Sequence, residues 1–238
     1  MKSLIAAAAL VCFMLFVTAH AGADQAEDLF GAAYKGDLAK VKALLAKNPK
    51  LVNGKGKSSG GWTALMAAAR ADHKDIVLYL LSKGADINAV SDEGLTLLID
   101  AASFGKTEMA ALFLSRGAAV NAKDRQGKSS LHYAASGLGN RELAAALVKS
   151  GADVNARDKS GRTPLSYAAE EGAKATAELL ISHGAPINAR DASGKTPLGT
   201  AVEKLKSMSL HIDRVDRSKD EQKMKELIAF LRARGAKE

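Results

Sequence analysis

The residues in this chain that could do covalent chemistry are few, and most sit in patterns that lack a necessary part. Gly56-Lys57-Ser58-Ser59-Gly60 has the Gly-x-Ser-x-Gly spacing of a hydrolase nucleophile elbow. An elbow needs a strand before it and a helix directly after it, so that the serine is thrust out of a sharp turn; the surroundings here are a Gly/Ser/Lys loop. Gly56-Lys57-Ser58, Gly105-Lys106-Thr107, Gly127-Lys128-Ser129 and Gly194-Lys195-Thr196 imitate the end of a phosphate loop. The glycine that would open such a loop five residues earlier is replaced by Leu51, Asp100, Ala122 and Ala189, so the backbone cradle for phosphate is missing. Cys12 is the only cysteine. His73 follows a turn between helices, His183 directly precedes a glycine that can cap a helix, and His132 follows Leu131 at a fixed place in its repeat, so a structural role suffices for each. His211, with Asp213 and Asp216 nearby, is the one group that leaves ligand-binding, metal-binding or hydrolytic chemistry open. The expectation is therefore a protein that is not an enzyme and holds neither cofactor nor metal.

The first 21 residues have the layout of a secretory leader. Lys2 supplies a basic start, Leu4 to Val17 form an uninterrupted apolar run, and Ala19-His20-Ala21 offers a small-x-small cleavage site. The run is 14 residues long, short of the roughly 20 that a membrane-spanning helix needs, so no transmembrane span is expected after processing. Cleavage after Ala21 would remove both Cys12 and Lys2, lowering the formal charge from +8 to +7. A chain free of thiols suits an oxidising compartment, and the simplest location is a bacterial periplasm or the exterior.

The elements that must position any site follow from a repeat. Gly61, Gly94, Gly127, Gly161 and Gly194 are separated by 33, 33, 34 and 33 residues. Gly84, Gly117, Gly151 and Gly184 keep the same step, in phrases such as Gly151-Ala152-Asp153-Val154-Asn155-Ala156. Between the two series each unit reads as two short helices. Thr63, Thr96, Ser129, Thr163 and Thr196 can cap the first, and Pro164 and Pro197 occupy a first helical position. Alanine pairs such as Ala68-Ala69 and Ala168-Ala169 let neighbouring first helices approach, while the second helix carries bulk such as Ile76, Val77, Leu80 and Leu81. Gly84 and its equivalents close that second helix.

Gly161 to Asp191 nearly spells the pattern Gly-x-Thr-Pro-Leu-His, Ala-Ala, Gly, Gly-Ala-Asp-Val-Asn-Ala-x-Asp, and from about Ala26 to the C-terminus the chain resembles the ankyrin repeat family. The resemblance implies an all-α solenoid of about six helix-turn-helix repeats with short hairpin-like turns, at about 26–58, 59–91, 92–124, 125–158, 159–191 and 192–238. The first repeat lacks the opening turn phrase, as a capping repeat would. In the last, Gly184 to Gly235 spans 51 residues, which places 18 extra residues around Lys206 to Lys223 in a loop or in lengthened helices. Asp100 takes the place held by Tyr133 and Tyr167 in other repeats and is read as a structural hydrogen-bond acceptor.

Family members hold protein partners on a concave surface of turn tips and first helices, and by register that surface implies partner contacts from this chain at Tyr34, Trp62, Arg70, Glu93, Leu95, Phe104, Arg125, Lys128, Leu138, Arg162 and Glu170. Tyr34, Trp62, Leu95, Phe104 and Leu138 are apolar or aromatic where solvent is expected, and such anchors dominate interface energies. The expected partner is another exported protein, bound non-covalently by a monomer. Lys35, Lys40, Lys42, Lys47, Lys50, Lys55 and Lys57 face only Asp37 in their stretch, which leaves attachment to an anionic surface as an alternative. No nucleic-acid partner is expected, because the segment from Glu203 onward mixes 10 basic with 7 acidic residues.

Overall fold

A computed structural model of the chain describes residues 25–56, 58–136, 140–209 and 218–238. Its residues group into two compact units divided between Leu97 and Leu98. In the first, α1 (25–35) and α2 (Leu38–Lys47) precede a 3-10 turn (Pro49–Asn53), followed by α3 (Ala64–Arg70) and α4 (Lys74–Ser82). α5 (Leu97–Ser103) begins at the division. The second unit continues with α6 (Thr107–Ser115), α7 (Ser130–Ser136), α8 (Arg141–Lys149), α9 (Pro164–Glu170), α10 (Lys174–Ser182), α11 (Pro197–Ser209) and α12 (Ser218–Ala233). The described residues thus form an all-α chain of six helix-turn-helix repeats. Two isolated antiparallel bridges, Lys55 to Thr63 and Lys123 to Ser129, close turn bases.

Local chemistry starts α3, α9 and α11 at the residues that the sequence marks, whereas the Ser129 hydroxyl ahead of α7 contacts His132 Nδ1 at 2.9 Å. The Thr63 hydroxyl accepts the Met66 amide, and Thr163 with Ser166 forms a capping box ahead of Pro164. These first helices run only seven residues in α3, α5, α7 and α9, too short to persist alone when about 12 are needed, so tertiary packing must hold them. In the second unit α7, α9 and α11 touch in succession, as do α6, α8, α10 and α12, which makes one layer of first helices and one of second helices. Ala134, Ala135, Ala168 and Ala169 are fully buried in the first layer; Leu143, Leu147, Leu180, Leu227 and Leu231 are fully buried in the second. Each such leucine contributes about 1.5–3 kcal/mol.

Asparagines tie repeat to repeat. Asn53 Nδ2 donates to the Gly84 carbonyl at 3.2 Å while its Oδ1 accepts the Asp86 amide at 2.7 Å. Asn121 treats Gly151 and Asp153 the same way, and Asn188 treats Gly235 and Lys237 so. In the last pair Gly235 and Lys237 take the places that Gly84 and Asp86 hold in the second repeat, and Thr196 Oγ1 donates to the Lys237 carbonyl at 2.6 Å. The extra residues of the sixth repeat lengthen both of its helices, to 13 residues in α11 and 16 in α12. Residues 210–217, with His211, Asp213 and Asp216, lie outside the described residues, as do the leader, Lys57 and Leu138.

The turn glycines share a positive φ but differ in the space around them. Gly161 has φ +74°, and a Cβ there would sit 2.9 Å from the Ala192 backbone nitrogen; Gly194 has φ +80° but open space around it. Gly194→Ala should therefore cost about 1–2 kcal/mol of backbone strain alone. Gly161→Ala should cost at least about 1 kcal/mol more, because backbone must shift. Urea denaturation of both variants checks the order, and equal losses would contradict it.

Candidate partner-binding surface

Among the described residues, the residue directly after a turn glycine and the residue eight positions on, in the first helix, meet in three repeats. In the first unit the Arg70 guanidinium lies 4.6 Å from the Trp62 ring centroid, so the arginine half covers the indole and both are half-buried. In the second, Arg162 pairs with Glu170 and Lys195 with Glu203. Register thus gives Trp62 with Arg70 in the first unit, and Arg162 with Glu170 in the second, the same places within their own repeats. It also shows that these side chains hold one another.

Behind these side chains the second unit carries a device that repeats. Asp124 opens one turn and Asp158 the next; the Oδ1 of each accepts two turn amides at 2.8 to 2.9 Å, from Gln126 and Lys128 and from Ser160 and Arg162. The Oδ2 of each accepts a tyrosine hydroxyl nine residues on, from Tyr133 and Tyr167, at 2.6 Å. Burial and the Asp158 hydrogen bond push the Tyr167 phenol well above its usual range, so it remains a donor. With their hydroxyls fixed, the rings become platforms. Lys128 Nζ lies 5.5 Å from the Tyr133 centroid and 4.8 Å from that of Tyr167, and Arg162 Cζ lies 4.1 Å from Tyr167. Tyr133 and Tyr167 are positioning residues that a search for exposed side chains passes over. The nine-residue step from each turn aspartate is the signal that marks them.

The other expected contacts are distributed between the units. Tyr34 and Phe104 are 54% and 55% exposed at the ends of α1 and α5, and Tyr34 stacks on Phe30 with centroids 6.4 Å apart. Leu95 is half-buried; Glu93 and Arg125 are exposed. Three of the first-repeat lysines have partners: Lys40 pairs with Asp28 at 3.7 Å, Lys55 donates to the Val90 carbonyl at 2.7 Å, and Lys42 sits by the Tyr79 ring. In the Gly56 to Gly60 loop the Ser58 hydroxyl donates to Glu27 at 2.6 Å, and the Ser59 hydroxyl donates to the carbonyls of Gly56 and Trp62. These serines fasten the loop. His73 Nε2 lies 3.1 Å from the Tyr34 carbonyl, a contact between repeats. Among the described residues no group of three or more acidic, histidine or cysteine side chains is arranged to hold a metal, and no helix is long and apolar enough to cross a membrane.

Comparison with known proteins agrees with this architecture. A family profile described as ankyrin repeats (3 copies) matches residues 4–91, 88–158 and 131–211, and the chain belongs to the ankyrin-repeat family. It is 47% identical over 60 residues to the NAD-capped RNA hydrolase NUDT12 of Homo sapiens, covering 25% of this chain and 13% of that protein. It is 46% identical over 67 residues to alpha-latrocrustotoxin-Lt1a of Latrodectus tredecimguttatus, covering 28% and 5%. Against ankyrin repeat and SAM domain-containing protein 6 of Rattus norvegicus it is 41% identical over 71 residues, covering 30% and 8%. The matched stretch spans less than one seventh of the length of each of these relatives. Ankyrin repeats are protein-interaction modules, which is the class of function that this family membership carries.

His132, fully buried under this surface, links its repeat to the next. Its Nδ1 accepts the Ser129 amide at 3.1 Å, which leaves the proton on Nε2 to donate to the Arg162 carbonyl at 3.3 Å. Burial holds its pKa below the ordinary value, so the folded protein keeps the ring neutral while the unfolded chain protonates below roughly pH 6.5. Unfolded chains then bind the extra proton, and stability must fall as pH drops from there through the lowered folded value. Urea midpoints at about pH 7.5 and pH 5 should show that loss in the wild type and a smaller one in His132→Gln. An equal loss in both would remove His132 as its source.

Proposed function

We propose that the protein is exported by its first 21 residues and acts in the periplasm, or outside the cell, as a monomeric protein-binding module. It holds a co-exported protein non-covalently, without a cofactor, and so restrains or supports that protein's activity as an inhibitor, immunity or accessory factor. The leader layout of Lys2, Leu4 to Val17 and Ala19-His20-Ala21 supports export. The observation that carries the binding reading is the exposure of two aromatic rings, Tyr34 and Phe104, beside the buried alanine pairs Ala32-Ala33 and Ala101-Ala102. Rings left more than half in water at helix ends otherwise packed with alanine are suited to a partner's pocket, where an anchor of this kind contributes about 2 kcal/mol or more. Trp62 under Arg70, and Leu95 with Glu93, extend the apolar and polar contacts of the first unit.

Capture from periplasmic extract tests the reading. The wild-type chain should retain a discrete protein that a folded Tyr34→Ala/Phe104→Ala variant loses by roughly thirtyfold or more in affinity. Retention of the same protein by both would exclude these rings as anchors. Fractionation of cells expressing a C-terminally tagged chain should place a shortened product in the periplasm, and an uncleaved chain confined to the cytoplasm would overturn the export half of the proposal.

A further inference from the structure

We propose that the turn tips of the fourth and fifth repeats bind an acidic, extended segment of a protein partner, with Lys128 as the fixed central cation. This deepens the protein-binding reading and rests on it. The two tips read Asp124-Arg125-Gln126-Gly127-Lys128 and Asp158-Lys159-Ser160-Gly161-Arg162. Both aspartates are buried, with one carboxylate oxygen bonded to two turn amides and the other to a tyrosine hydroxyl. The charged side chains that these tips turn to solvent are Arg125, Lys128 and Lys159, with Arg162 tied to Glu170. A backbone hydrogen bond from the Lys159 amide to the Gln126 carbonyl, 2.9 Å long, joins the two tips into one ribbon.

Within that ribbon Lys128 is unlike an ordinary surface lysine. It is half-buried, its ammonium rests on the rings of Tyr133 and Tyr167, and no carboxylate among the described residues pairs with it. Arg125 and Lys159 flank it, exposed and likewise without an ion-pair partner among the described residues. A side chain already held in one place loses little rotamer freedom on binding, and its unused N–H donors are best satisfied by a carboxylate.

The flanks of the ribbon decide between kinds of polyanion. Glu170 stands against Arg162, and Glu203 against Lys195. A nucleic-acid backbone carries a charge about every 1.7 Å along a duplex and would bring phosphates onto these glutamates. A peptide can place its acidic residues on Lys128, Arg125 and Lys159 and neutral ones beside Glu170.

The probe is a fluorescein-labelled decapeptide of alternating Glu and Ser, read by anisotropy against the full chain at low and high salt. Wild type should bind it and weaken as salt rises. Lys128→Met, which keeps the aliphatic stem, should weaken binding by roughly tenfold. Lys149→Met, which removes the same charge from the last turn of α8, should leave binding unchanged, with both variants melting as the wild type does. Equal weakening by the two would reduce the effect to net charge and overturn the proposal. Tighter binding of a single-stranded oligonucleotide, or of vesicles containing anionic lipid, than of the peptide would overturn it too. If extract capture yields a protein that Lys128→Met retains in full, the acidic-segment proposal alone fails; if the wild type captures no protein, the broader binding reading fails.

Discussion

Successive turns are joined backbone to backbone. Within the second unit the Lys159 amide donates to Gln126 and the Ala192 amide to Ser160, each at 2.9 Å; within the first, the Asp92 amide donates to Gly60 at 2.9 Å. Such an approach leaves no room for a side chain at the residue that turns the corner: a Cβ on Gly127 would meet the Lys159 nitrogen at 3.0 Å, and one on Gly61 would meet the Asp92 backbone nitrogen at 2.8 Å. The same glycines take positive φ, so steric space and backbone conformation both demand them. From this constraint the remainder follows in order. Within each unit, turns in contact bring the short first helices together through their alanines, that contact lets the longer second helices bury their leucines, and the tips are left to carry side chains on the joined turn backbone.

The electrostatic character of those tips comes from how the aspartates are used. A turn built on an aspartate spends both carboxylate oxygens inside the fold, on its own amides and on a tyrosine nine residues later. Asp191 shows the same turn without the tyrosine. Partial burial opposes its ionisation, yet hydrogen bonds from Ser193 and Lys195 hold its pKa below the ordinary carboxylate range. Arg125, Lys128 and Lys159 are left without an ion-pair partner among the described residues, whereas Arg162 is paired with Glu170 and Lys195 with Glu203. A formal charge of +8 is modest for a chain of this size, but it is organised locally. In the first unit the corresponding tip residues are Trp62, Asp92, Glu93 and Leu95, apolar and acidic rather than basic, so the two units offer a partner different chemistry.

Much of this was legible from residue order. The 33-residue step of the turn glycines, the Thr and Pro residues at helix starts and the alanine pairs predict the helices that form, because caps, left-handed turns and helical periodicity act over a few residues of chain. The fate of the extra residues in the sixth repeat was not legible. Their sequence allows a loop or longer helices, and both α11 and α12 lengthen; in the added turns of α12 Met224 is buried, while Leu227, Ile228 and Leu231 take the buried places that Ile76, Val77 and Leu80 hold in the second repeat.

Sequence alone determined the repeat, its helices and the places where side chains reach the tips, since these depend on local backbone preference and spacing. Tertiary structure decided which of those side chains are free. Arg162 and Glu170 occupy equivalent-looking surface positions but pair with each other, Trp62 lies under Arg70, and Lys128 rests on tyrosines from two different repeats. Lys128 and Tyr167 meet across 39 residues of chain. Such contacts form only once neighbouring repeats are docked, and their strength depends on the burial and fixed geometry that docking provides.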